Sequence, residues 1–152
     1  MSSLDAIAHR LPPSLTDWPG YLLNFIAEHS TERFERAVAA YGIRTKHASV
    51  LVVIDAEGPM SQRALGRRLR IDKSPMVGLL DDLERLGLAE RRRTDADRRI
   101  QAVHLTDTGR GVLARVLEIA AAENDRTFGL LDDAERELLH DLLLRVAEAT
   151  TS

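Results

Sequence analysis

The chain contains no cysteine. Disulfides, thiol redox chemistry and Cys-ligated zinc are thereby excluded, and the composition fits a cytoplasmic location. Aromatic residues are scarce at 4%, with one tryptophan. No apolar run approaches the ~18–20 residues of a membrane-spanning helix, so no membrane partner is expected. The first residues, MSSLDAIAHRLPPS, lack a basic start followed by an apolar core and do not read as a secretory signal. Also missing are a phosphate-cradling glycine loop, a Gly-x-Ser-x-Gly nucleophile elbow and any local zinc-ligand spacing. The carboxylate pairs Asp81-Asp82 and Asp132-Asp133 occupy adjacent helix positions and point apart, which suits solvated faces. No enzymatic activity, cofactor or resident metal is therefore expected.

What the sequence does contain is an uneven distribution of charge. Its 152 residues are 44% apolar and 30% charged, a globular composition for one domain or two small lobes. The formal net charge is −3. Between Ser61 and Arg99, however, stand 11 basic and 7 acidic residues, against 10 basic and 17 acidic elsewhere. A basic module on an acidic body implies one surface that meets a polyanion.

The apolar periodicity predicts a mainly helical chain. Residues 1–16 read as a flexible arm, with Pro12-Pro13 opposing regular structure. A long helix follows Asp17, with Pro19 in its first turn. Leu22, Ile26, Phe34, Val38 and Tyr41 recur near every 3.6 residues, and Gly42 ends it. A second helix spans about 46–56, with Thr45 as cap and Gly58-Pro59 as stop. Ser61 caps a short third helix ending near Arg70, and Met60 and Leu65 are placed as a hydrophobic staple. After a turn at Ile71, a fourth helix starts at Asp72 or Ser74, turns Val77, Leu80, Leu83 and Leu86 inward and stops at Gly87. LAERRR and RIQAVHL then read as two strands of a hairpin, joined by Thr94 to Arg98, with Asp95 as a turn residue. Two helices close the chain. Thr106 caps the first, and the second begins near Leu131. Helix, turn and helix followed by a hairpin is a winged helix–turn–helix.

That order makes residues 45–105 the DNA-binding domain. Residues 17–44 and 106–152 form a helical dimerisation region, because their leucine stripes exceed what one small lobe covers. A helix entering the major groove presents its N-terminal residues, here Lys73, Ser74, Pro75, Val77 and Gly78. Ser61, Arg63 and Arg67, from the preceding helix and its cap, are placed to hold phosphates, which fix register without reading bases. A hairpin tip suits the minor groove. Arg99 would enter it, held in orientation by Asp97, with Arg98 on flanking phosphates. Arg91, Arg92 and Arg93 lie on a strand, so alternate members face opposite ways.

Residues 65–110 resemble the winged-helix core of the multiple antibiotic resistance regulator (MarR) family. The matching pieces are the Leu-Gly helix, the Asp-x-Ser opening of the recognition helix, LERLGLAERRR, the Asp-x-Arg wing (Asp97, Arg98, Arg99) and LTDTGR. The flanking helices also fit in number and order. The resemblance implies a homodimer built on the first and last two helices. It implies double-stranded DNA with a pseudo-palindromic operator as partner, and a small phenolic or aromatic acid as effector. Val77 and Gly78 stand where family members often carry polar or basic residues, so shape, the wing and Lys73 carry more of the recognition. By the same resemblance Trp18, Tyr21, Phe25 and His47 are ligand-pocket candidates, with ordinary packing as their other reading. A metal-responsive regulator would need Glu28, His29, His47 and His104 to meet in space. The remaining alternative is a ligand-binding or protein-interaction helical module whose winged helix no longer binds DNA.

Overall fold

The structure, a computed structural model, describes residues 11–93 and 101–151. These form two compact units, one from Thr31 to Ala120, the other from the described residues on either side of it. Helix α1 is Pro13–Thr16, α2 Pro19–Val38, α3 Thr45–Glu57, α4 Gln62–Leu69 and α5 Lys73–Arg85. Strand β1 is Met60–Ser61, β2 Ala89–Arg93 and β3 Gln101–Leu105, and α6 (Asp107–Phe128) and α7 (Asp133–Thr151) close the chain. No single helix among the described residues is long and apolar enough to cross a membrane.

Pro13 does not oppose regular structure, because it sits at the first position of α1, where no intrahelical N–H is needed. Helix α2 tightens into a 3-10 turn over Ala39–Tyr41 and ends on Gly42, whose φ of 72° is left-handed. The α3 cap lies one residue earlier than expected. Arg44, not Thr45, is the capping position, and its N–H donates to His47 Nδ1 at 3.0 Å. The N–H of Thr45 donates to Glu35 Oε1 at 2.9 Å. Ser61 caps α4 as expected, accepting from the Ala64 N–H at 3.2 Å.

The core of the central unit gathers one face from each element. Val38, Ile43, Val50, Leu51, Leu65, Met76, Leu80, Leu83, Val103 and Val116 are at most 2% exposed. Burying side chains of this size stabilises by about 1.5–3 kcal/mol each. The inward stripe of α5 is Met76, Leu79, Leu80 and Leu83, so Val77 stands half-buried at its edge rather than inside. The sheet holds three strands in the order β1-β3-β2 instead of two. Met60 pairs with Val103 and Ser61 with Ala102, while Ala89 through Arg93 run antiparallel to Leu105 through Gln101. The connection between β2 and β3 lies outside the described residues.

The start of α6 is pinned to the end of α5. The Thr106 hydroxyl donates to the Gly87 carbonyl at 2.6 Å and accepts the Gly109 N–H at 2.9 Å. The Thr106 N–H donates to the Leu88 carbonyl at 3.2 Å. This closeness requires glycine at 109, since a Cβ there would stand 1.9 Å from the Leu88 carbonyl oxygen. In the other unit, α7 opens with a reciprocal cap. The Asp132 N–H donates to Glu135 Oε2 and the Glu135 N–H to Asp132 Oδ1, each at 2.9 Å. Asp132 is thus a capping residue, not merely a solvated carboxylate.

Gly109→Ala must push two backbone segments apart. The expected loss of unfolding free energy is about 2–4 kcal/mol, read from urea denaturation midpoints. A variant as stable as the parent would show that α6 can shift freely against the Leu88 segment.

Candidate nucleic-acid interface

Helix α4, the turn after it and the first turn of α5 present one continuous surface. Leu65 anchors α4 from below, and Met76 anchors α5. Arg63, Arg67, Arg70, Lys73, Ser74, Pro75 and Gly78 are all exposed. Arg63, Arg67, Arg70 and Lys73 line one open groove of ≈ 810 Å³, together with Asp72 and Ile71. Among the described residues none of these four cations has an acidic partner. Ser61 is half-buried, and its oxygen is already engaged by the cap it makes. Gly78 has open space around a would-be Cβ, so no intramolecular packing demands glycine there. The local sequence builds this surface directly. Alternation between apolar anchors and arginines at helical spacing sends one set inward and the other out.

The arginines of β2 are sorted differently. Arg91 is 18% exposed and turns back onto α5, where it meets Asp81 at 2.8 Å and pairs with Glu84. Its backbone N–H also donates to Glu84, at 2.8 Å. Arg92 pairs with Glu90 on its own strand. Arg93 is exposed. Asp81 and Asp82 point apart as expected, and Asp81, though exposed, is also one acceptor of an inter-element clamp. The signal was available in principle. Asp81 and Glu84, three residues apart, share a helix face. Asp97, Arg98 and Arg99 lie outside the described residues.

Asp82 faces another direction. It accepts from Arg85 at 2.7 Å and meets His47 Nε2 at 3.3 Å. Arg85, and then His47, hold its carboxyl below the usual carboxylate range. His47 is 2% exposed. Its Nδ1 accepts the Arg44 N–H, which places the ring proton on Nε2, facing Asp82. Burial pushes the imidazole below its ordinary value, and the Asp82 hydrogen bond offsets part of that. His47 thus ties the start of α3 to the middle of α5, and both ring nitrogens are committed to structure. Trp18, Tyr21 and Phe25 belong to the other unit, where Trp18 is 66% exposed and Phe25 stacks on His29 with centroids 4.0 Å apart. Among the described residues no group of three or more His, Asp or Glu side chains is arranged to hold a metal ion.

Comparison with known proteins gives a consistent picture. The model of the MarR family matches residues 41–100. A protein assigned to transcriptional regulation of the hcr operon in Thauera aromatica is 38% identical over 98 residues, 64% of this chain and 58% of that protein. The chain therefore spans less than two thirds of that relative. The structure of the transcriptional repressor CouR bound to a 23-mer DNA duplex superposes with a TM-score of 0.80 at 33% identity, covering 89% of this chain and 96% of that one. CouR from Rhodococcus jostii RHA1 bound to p-coumaroyl-CoA gives a TM-score of 0.77 at 28% identity, covering 88% and 94%.

The His47 geometry has a consequence for pH. With the folded-state value depressed, the unfolded chain takes up the proton first as pH falls below about 6.5. Stability is full above that point and declines as pH drops through the folded value. His47→Gln is expected to flatten the decline, seen by comparing urea midpoints of parent and variant at pH 7.5 and 5.5. An equal decline in both would show that other groups govern it.

Proposed function

Because the chain belongs to the MarR family of transcriptional regulators, we propose that it is a homodimeric, sequence-specific repressor acting in the cytoplasm. The observation that carries this reading is the groove on α4 and α5. Arg63, Arg67, Arg70 and Lys73, with no acidic partner among the described residues, line one groove of a chain whose net charge is −3. Lys73 and Ser74 begin a helix whose exposed first turn suits entry into a major groove, while Arg63 and Arg67 suit its flanking phosphates. Arg99, oriented by Asp97, serves the minor groove in this reading, with Arg98 on phosphate. Val77 and Pro75 offer apolar contact to a thymine methyl, and Gly78 a close backbone approach.

A second copy of the chain is supported by what α7 leaves bare. None of its residues is buried, although Leu138, Leu142, Leu144 and Val146 are 44–60% exposed. Apolar area of this kind is ordinarily covered by a partner. Two recognition helices about 34–36 Å apart then address successive half-sites of a pseudo-palindromic operator. A small aromatic effector releases the DNA by favouring a different spacing. CouR bound to p-coumaroyl-CoA supports the aromatic class. Such release needs differential affinity for two states, typically ~1–3 kcal/mol.

Light scattering should give a mass twice the 16.9 kDa of the chain, and Leu142→Glu should shift it toward one. A parent that runs as a monomer at micromolar concentration would reject the dimer.

Fluorescence anisotropy against the DNA flanking its own gene, with random duplex as control, tests the regulator. Tighter binding than to random DNA and a steep fall with salt are expected. Arg63→Ala should weaken both duplexes alike and lower the salt slope by about one. Salt-independent or absent binding would favour a helical interaction module with an idle winged helix.

A further inference from the structure

The turn between α4 and α5 is closed by an unusual residue for its backbone. Arg70 has φ 52° and ψ 43°, and it is the sole non-glycine residue with positive φ among those described. The conformation terminates α4, and the Arg70 N–H donates to the Gly66 carbonyl. The Ile71 N–H donates to the same carbonyl at 2.9 Å. Helices end this way most often on glycine, because a Cβ in the left-handed region crowds the neighbouring carbonyl. For the fold alone, glycine would serve this position better than arginine.

Nothing inside the described fold uses the arginine head group. Arg70 is exposed and has no acidic partner among the described residues. Arg68, two positions earlier, shows the contrast, because it reaches Glu57 at 2.6 Å. Arg70 instead lines the groove with Arg63, Arg67 and Lys73, where Asp72 is the single carboxylate. Four cations against one anion repel each other in the free protein, and a polyanion relieves that repulsion.

We propose that Arg70 is a phosphate-binding residue of the DNA interface, held in a strained backbone conformation that the turn imposes. The inference rests on the DNA-binding reading above and extends it to the turn itself. Strained residues persist where the surrounding structure over-determines them, and they cluster at binding positions. The two bonds to the Gly66 carbonyl fix the Arg70 backbone, so binding orders only the side chain. A guanidinium offers paired N–H donors to phosphate oxygens. Such a contact holds register and reads no base.

Arg70→Gly separates the two roles, since it suits the backbone and deletes the cation. Thermal stability should be unchanged or higher. Affinity for duplex DNA should fall about tenfold, equally on operator and random sequence, and the plot of log affinity against log salt should become shallower by about one. Arg70→Lys keeps the charge and should keep the slope. If the parent binds DNA with a steep salt dependence and Arg70→Gly binds as well as the parent, the inference is overturned and the DNA-binding reading stands. A parent that binds no duplex overturns both.

Discussion

The wing can be used with the recognition helix only if the two are held in a fixed relation, and that relation depends on one junction. Gly87 turns the chain at the end of α5, and Thr106 reaches back to its carbonyl before starting α6. Gly109 lets the two backbones approach at a distance no other residue permits. The hairpin strands leave and return through this point, so its geometry fixes their origin. The Arg91 clamp onto Asp81 and Glu84 then fixes their direction. One tie is backbone and short, the other is ionic and further along the strand.

The same clamp shows how the basic segment divides its charge. Arg68, Arg85, Arg91 and Arg92 are paired within the chain, by Glu57, Asp82, the Asp81 and Glu84 pair, and Glu90, all but Arg91 at the exposed surface. Arg63, Arg67, Arg70 and Lys73 are left to the groove. Acidic residues in the segment are therefore not diluting its charge uniformly. Among the described residues they pair Arg85, Arg91 and Arg92, and leave Arg63, Arg67, Arg70 and Lys73 on the groove and Arg93 exposed on β2.

Much of this was legible in the sequence because it is encoded locally. Ser61 and Thr106 announced their helices by type and position, and both cap as expected. Gly42 and Gly87 marked ends that need positive φ. Part of what the sequence did not display depends on contacts distant along the chain. Thr45 resembles a cap, but Glu35, ten residues away, takes its N–H, and the cap falls to Arg44. Periodicity placed Leu80 and Leu83 inside correctly, but Met76 and Leu79 complete the buried stripe where Val77 was expected. For His47 the resemblance offered a pocket and ordinary packing side by side, and its pairing with Asp82, 35 positions on, is a contact the sequence alone does not display. Strand β1 has two residues and no alternating pattern, so nothing short of the β3 partner reveals it.

That small strand changes the exposure of the sheet. By covering one side of β3, β1 makes β3 the central strand, and among the described residues β2 is the longer of the two edges. An open edge is an invitation for another chain to add a strand, and charge along it is a defence. Here the edge carries Glu90, Arg91, Arg92 and Arg93, and the outward N–H of Arg91 is already occupied by Glu84. The strand's charged side chains, paired and exposed alike, thus oppose the addition of another strand along β2.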